Sequence, residues 1–364
     1  MRVLIAPDSF KGSASAAAVA TALAAGWLAV RPGDQVTRLP LADGGEGTLD
    51  VLAATVPGAR WRRTRVTGPG GGPVHCRWLQ LPGQVAVVEL ARASGLPLLA
   101  HPDPMSAHTI GLGEVLGRAL DAGATRILVG LGGSASTDGG TGALTALGAR
   151  FLDASGQPLP PGGGALATLA GADLRRLRPP PPDGVTCLAD VTAPLLGPRG
   201  AAAVYGPQKG ANAAQIARLE AGLARLAEVL GGDPGAPGAG AAGGTGYGLS
   251  AAWGAGFAPG AVELSRLAGL DRALAGADLV ITGEGRFDPT SLTGKTTGTV
   301  LAAAAAAGIP AALVAGQVSG PVPDGIEAVT LAALAGGAVP AQASPARWLR
   351  EAGRRLAGAA PATS

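Results

Sequence analysis

At 364 residues, with hydrophobic residues at 47% and charged ones at 15%, the chain has a globular composition, and a prior of roughly 100–200 residues per domain makes it two domains. Its net charge of +3 and 3% aromatic content leave no basic stripe and little to stack bases on, which excludes a nucleic-acid partner. Cys76 and Cys187 lack Cys-x-x-Cys spacing, and His75, His101 and His108 lack metal-ligand spacing, so reduced thiols and isolated histidines are expected.

The opening Met1-Arg-Val-Leu-Ile-Ala-Pro-Asp8 has too short an apolar run for a signal peptide, which points to a cytoplasmic location. Val3 to Ala6 reads instead as a buried strand, followed by the polar loop Asp8 to Ser13 and an alanine-rich helix from Ser15 to Val30 that Pro32 and Gly33 stop. Gln35 to Leu39 is a second strand. It empties into Pro40-Leu-Ala-Asp-Gly-Gly-Glu-Gly-Thr48, and Leu49 to Ala53 continues as helix. From Arg60 to Leu90 the rhythm changes. Trp61 to Val66, Val74 to Leu79 and Val85 to Leu90 have strand composition with a turn at Gly68 to Gly72 and no helix between them, an antiparallel pattern that marks entry into a second domain. Ile110 to Leu120 then reads as helix.

Next, the apolar run Ile127 to Val129 breaks into Gly130-Leu-Gly-Gly-Ser-Ala-Ser-Thr-Asp-Gly-Gly140, with Thr141 placed to cap a helix through Leu144 and Leu147. Glycines let backbone N–H groups turn toward a ligand, and a helix N-terminus adds partial positive charge, so the loop suits an anion, with Asp138 able to hold a cation beside it. Neither the Walker A nor the Gly-x-Gly-x-x-Gly spacing is present. Pro179 to Pro182 reads as an extended connector, Val185 to Ala189 as a strand ending in Asp190-Val-Thr192, and Ala213 to Leu230 as an amphipathic helix with Ile216, Leu219, Leu223, Leu226 and Val229 facing the core. Gly231 to Gly248 is glycine-rich enough to be a mobile loop.

The α/β rhythm returns with a strand at Asp278 to Thr282, a helix at Thr299 to Ala307, strands at Pro310 to Val314 and Glu327 to Leu331, and a last helix with Ser344 as cap and Pro345 at its first position. The most membrane-like stretch, Val300 to Gly316, is alanine-rich and broken by Gly308 and Pro310, so it fits a buried helix and strand; no membrane partner is expected.

In a chain poor in charge, five loops share carboxylates, lysines and hydroxyls at strand ends: Asp8 to Lys11, Asp43 to Glu46, Gly132 to Gly140, Asp190 to Thr192, and Gly283 to Asp288 extended to Lys295. Phosphoryl transfer needs this mixture, with cations and N–H dipoles for phosphates, carboxylates for magnesium and a carboxylate to take a hydroxyl proton. Nucleophilic hydrolysis lacks its Gly-x-Ser-x-Gly elbow and hydride transfer its glycine fingerprint. The residues therefore favour a small-molecule kinase.

Ala6-Pro-Asp-Ser-Phe-Lys-Gly-Ser13, Pro40 to Thr48, Gly130 to Gly140, Gly206-Pro-Gln-Lys-Gly-Ala211 and Ala277-Asp-Leu-Val-Ile-Thr-Gly-Glu-Gly-Arg-Phe-Asp288 resemble, in order, the motifs of the bacterial class I glycerate kinases. The resemblance implies ATP-dependent phosphorylation of D-glycerate, with 2-phosphoglycerate the usual product, and Mg2+ accompanying ATP. It also implies an α/β fold of two domains facing across a cleft: a discontinuous flavodoxin-like domain, residues 1–74 plus 277–364, and an inserted mixed-sheet domain, residues 75–276. Thr137, Ala193, Pro289-Thr290-Ser291 and Thr293 depart from the family's usual residues, which touches substrate contacts more than the reaction.

On that basis Asp190 is the first choice for the base that takes the substrate hydroxyl's proton, with Lys11 and Lys295 as catalytic cations. Asp8, Ser9, Asp43, Gly44, Gly45, Glu46, Gly132, Gly133, Ser134, Thr137, Asp138, Thr192, Lys209, Glu284 and Arg286 are the candidate substrate or phosphate contacts, and Asp138 and Asp288 the candidate magnesium ligands. The alternatives are a kinase for another small hydroxy acid, formation of 3-phosphoglycerate, and a small-molecule-binding regulator.

Overall fold

The computed structural model describes residues 1–360. Strands are numbered along the chain: β1 (Arg2–Ile5), β2 (Gln35–Arg38), β3 (Arg60–Thr67), β4 (Pro73–Leu81), β5 (Val85–Glu89), β6 (Arg126–Gly130), β7 (Arg150–Leu152), β8 (Gly171–Asp173), β9 (Val185–Leu188), β10 (Gly256–Ala258), β11 (Leu279–Phe287), β12 (Ala311–Val318) and β13 (Glu327–Thr330). The chain divides into two compact units. One comprises Met1–Asp43, Asp50–Val56 and the chain from Pro259 onward; the other comprises Gly44–Leu49 and Pro57–Ala258.

The first unit is built on a wholly parallel sheet of order β13-β12-β11-β1-β2. Counted within this sheet the order is 2-1-3-4-5, the flavodoxin-like winding. Alternation along β1 sends Val3 and Ile5 to one face, where they meet Val19, Leu23 and Trp27 of the Ala16–Val30 helix and Leu349 and Leu356 of the Pro345–Ala359 helix. Leu4 points to the other face, against Leu39, Leu270, Val280 and Val300. Because β1 and β11 are neighbours whose onward connections run to opposite sides of the sheet, the loops at their carboxyl ends part and leave a crevice.

The second unit carries a six-stranded sheet of order β10-β9-β6-β5-β4-β3, antiparallel from β3 to β5 and parallel from β5 to β10, with β7 and β8 forming a separate two-stranded ribbon. The register of β3 on β4 runs unbroken from Arg60↔Gln80 to Thr67↔Pro73. That hairpin therefore stays whole in the second unit, which the chain touches first at Gly44–Leu49 and then enters for its long stretch at Pro57, ahead of the break expected near residue 75. It returns at Pro259, ahead of residue 277, because the Gly260–Ala268 helix packs with Leu264 and Ala268 buried in the first unit.

Three local expectations change. Gly231 to Gly248 is not one mobile loop, because a left-handed kink at Ala242, Gly243 and Gly244 leads into a helix that runs to Trp253, and Gly243, Gly244, Gly246 and Gly248 are buried. Thr141 does not cap the Thr141–Ala146 helix; it is the first helical residue, and its hydroxyl donates to Asp138 O. Ser344 precedes the Pro345–Ala359 helix without a capping hydrogen bond from its side chain. Cys76 and Cys187 are buried free thiols, and among the described residues no helix is long and apolar enough to cross a membrane.

Candidate active site

In the first unit the carboxyl ends of β1 and β11 enclose a cavity of about 370 Å3 lined by Asp8, Ser9, Lys11, Asp43, Glu284, Arg286, Asp288 and Lys295. Backbone hydrogen bonds set the two loops side by side: Asp8 N donates to Gly283 O at 2.9 Å, and the Thr282 hydroxyl to Ala6 O at 2.8 Å. A tight turn, with Phe10 N on Ala14 O at 2.8 Å, carries Lys11 at its tip. From there the Lys11 side chain, 75% exposed, reaches Asp43 Oδ2 at 3.4 Å. An ion pair this open adds under about 1 kcal/mol to stability, so it does not explain why a lysine stands there.

The acids of the cavity differ sharply in environment. Asp8 is only 8% exposed, and its Oδ1 accepts Ser9 N at 2.6 Å. Burial pushes its carboxyl up to about 6, and the Asp43 charge adds to the rise, while Ser9 N–H, Lys11 and the Thr296 hydroxyl oppose it. Glu284, 9% exposed, is also raised by burial, with the Ser291 and Thr297 hydroxyls and the Lys295 charge pulling the other way. Its Oε1 is buried and makes no well-formed hydrogen bond; the Thr296 and Thr297 hydroxyls at the start of the Thr296–Ala306 helix lie near enough to favour the ionised acids, but not in hydrogen-bonding geometry. Asp288 goes in the opposite direction. It is held below the usual carboxylate range by the Thr290 hydroxyl and N–H, both on its Oδ1, and its N–H meets Ser291 Oγ at 3.0 Å. The departures at Thr290 and Ser291 thus shape the turn that presents Asp288, and the Thr293 hydroxyl closes it on Thr290 O at 2.9 Å.

The glycine loop after β6, in the second unit, is arranged differently. Asp138 is fully buried, and its two oxygens accept five donors: Thr109 N and Oγ1 at 2.8 Å each and Gly142 N at 3.2 Å on Oδ2, Ser136 Oγ at 3.1 Å and Gly140 N at 3.3 Å on Oδ1. Lys209, 1% exposed, donates from Nζ to Ser136 O; burial pulls it down to about 8, against the charge of Asp138. The glycine stretch expected to be mobile forms the wall behind this loop. A Cβ on Gly243 would come within 2.2 Å of Ser136 O, and one on Gly248 within 2.1 Å of Gly139 O, so only glycine permits the approach.

The sequence candidates therefore separate. Asp8, Ser9, Lys11, Asp43, Glu284, Arg286, Asp288 and Lys295 come together at one cavity. Thr137 and Asp138 are 0% exposed: the carboxylate is taken up by donors around the start of a helix, and the Thr137 hydroxyl is enclosed without a partner. Lys209 is likewise enclosed. Gly132 and Gly133 remain exposed, Ser134 is 8% exposed, and Gly44 and Gly45 lie against Gly130 and Gly132. Glu46 and Thr192 are exposed and Asp190 is half-buried just beyond β9. Gln317 and Gln342 also line the first unit's cavity. Gln317 follows from its place near the end of β12, whereas nothing in the local pattern marks Gln342.

A flavodoxin-like sheet whose crevice gathers buried acids beside lysines and an arginine has the architecture of an α/β enzyme. The chain belongs to the glycerate kinase family, a family of phosphotransferases, whose sequence profile matches residues 3–361. It is 41% identical over 307 residues to the glycerate 2-kinase of Escherichia coli K12, covering 81% of this chain and 80% of that protein. It is 41% identical over 331 residues to the glycerate kinase of Bacillus subtilis 168, covering 88% and 86% respectively. A crystal structure of a protein from Salmonella typhimurium LT2, provisionally named glycerate kinase 2, superimposes with a TM-score of 0.84 at 38% identity, over 99% of this chain and 98% of that one.

Proposed function

We propose that this chain transfers the terminal phosphoryl group of ATP to D-glycerate, giving 2-phosphoglycerate and ADP, in the cytoplasm where ATP is abundant. The observation that carries the reading is the cavity at the ends of β1 and β11, where Lys11, Arg286 and Lys295 face Asp8, Asp43, Glu284 and Asp288. The name of the E. coli relative, glycerate 2-kinase, favours transfer to the 2-hydroxyl.

The substrate hydroxyl oxygen forms the new bond to the γ-phosphorus as the bond to the β,γ-bridging oxygen breaks. ADP leaves with that electron pair, and a carboxylate takes the hydroxyl proton. Lys11, Arg286 and Lys295 hold the phosphates and the glycerate carboxylate. Asp8 is favoured over Asp190 as the proton acceptor, since it lines the cavity and titrates near 6, close to the working pH that a general base requires. Asp190 is the second choice.

Magnesium fits this donor set in the kinase manner, through one or two carboxylates and the nucleotide's phosphates. The unpartnered buried Glu284 Oε1 and the second oxygen of Asp288 are the groups that would hold it, whereas the saturated Asp138 is not. Bound there, the ion supplies charge neutralisation of the phosphates. Incubation with MgATP and D-glycerate, followed by phosphorus NMR, tests the reading. A 2-phosphoglycerate resonance is expected; 3-phosphoglycerate would revise the regiochemistry, and no phosphorylated product would refute the reading.

A further inference from the structure

The second unit contains a cavity of about 540 Å3 that the proposed reaction does not use, bounded by β3, the turn into β4, the Ile110–Asp121 helix and Arg178. Helical spacing brings Glu114, Gly117, Arg118 and Asp121 to one side of that helix, and strand alternation sets Arg65 and Thr67 together on β3. Gly117 keeps the floor low. The Arg178 guanidinium lies over it, donating to Gly117 O at 3.4 Å and to Asp121 at 2.9 Å, and a Cβ on Gly117 would sit 3.6 Å from that group.

The acids of the cavity are already matched. Glu114 accepts the Thr67 N–H at 2.7 Å and its hydroxyl at 2.9 Å, and Asp121 accepts Arg178. Arg65 and Arg118 line the same space and make no ion pair or side-chain hydrogen bond among the described residues. Against the two carboxylates of Glu114 and Asp121, the guanidiniums of Arg65, Arg118 and Arg178 leave the concavity with positive charge in excess, and none of the three can shed its charge. The volume lies in the range of small-molecule sites, and planar forks of N–H donors match oxyanions bidentately.

We propose that this cavity binds a small organic anion carrying two or more carboxylate or phosphate groups, held between Arg65 and Arg118 with Arg178 at its edge. The site is independent of the kinase reading, because its occupancy is read by binding rather than turnover.

Isothermal calorimetry on the full chain, with citrate and separately with pyrophosphate at constant ionic strength, tests it. At least about tenfold weaker binding is expected when Arg65→Ala and Arg118→Ala are combined. Both side chains belong to exposed residues, so the variant should keep its fold, which circular dichroism checks. Gly117→Leu, which fills the floor instead of removing charge, is expected to weaken binding as well. A response to citrate alone identifies a carboxylate ligand, and to pyrophosphate alone a phosphate ligand. No heat from either probe, or equal affinity in the wild type and the double variant, overturns the proposal.

Discussion

Two loops built from the same vocabulary end in opposite states. The loops after β1 and β11 leave Lys11 three-quarters exposed and Glu284 with a buried oxygen that no donor meets. The loop after β6 takes Ser136, Thr137 and Asp138 wholly out of solvent and gives Asp138 five donors. Glycine, hydroxyl and carboxylate in sequence describe both a ligand site and a well-capped helix start. What separates them is whether the acid's lone pairs are already filled, because a saturated carboxylate has little left to offer a ligand.

The contrast is broken most severely at Asp8. General-base catalysis contributes about a hundred- to ten-thousandfold, so Asp8→Asn should lower kcat by that order while KM changes little; a larger loss in Asp190→Asn would transfer the role. The wild-type kcat/KM should fall as pH drops through about 6, as Asp8 takes up its proton, and this limb should vanish in the variant. The stability effect has a defined sign too. A carboxyl raised from 3.8 to about 6 in the folded state adds stability below pH 4 that is lost as pH rises through 6, so at pH 7.5 Asp8→Asn should unfold no earlier than the wild type.

Asp138 should behave in reverse. Replacing it with alanine strands five donors and leaves Lys209 buried without its counter-charge, a loss on the order of 3–5 kcal/mol. Urea denaturation measures this, and a midpoint equal to the wild type's would show that the loop does not depend on the carboxylate. The smallest effect on the fold is expected from Lys11→Ala. Its exposed pair with Asp43 should cost under about 1 kcal/mol of stability, while kcat/KM falls at least about tenfold. Coenzyme-coupled ADP assays and thermal melts read the two halves separately; a large drop in Tm with normal turnover would make Lys11 structural.

Much of this was legible residue by residue. The apolar run Val3 to Ala6, the alanine-rich helix from Ser15 to Val30, the helix stripe from Ile216 to Val229 and the α/β rhythm after Asp278 all carry local signals, and each corresponds to an element of the fold. The acids and lysines of the cavity were legible too, since short polar loops after parallel strands are where α/β sheets place them. The glycines from 243 to 248 were not. Their composition is that of a flexible linker, yet they are buried because the backbone of residues 136–139 packs where side chains would have been. Nor did the chain mark the burial of Lys209, the last residue of a short Pro207–Lys209 turn whose sequence is indistinguishable from that of a surface turn.

By itself, the sequence determined the element types, the strand-end loops and the family, because periodicity, helix-breaking residues and ordered motifs are local properties of the chain. Only the tertiary structure decided that β1 and β11 are neighbours across more than 270 residues of chain, from Val3↔Leu279 to Ile5↔Ile281, and so that Asp8 and Glu284 share a cavity. It alone decided that Asp138 is enclosed. Both follow from long-range packing, which sets how much water each carboxylate keeps, and no short stretch of sequence records that quantity.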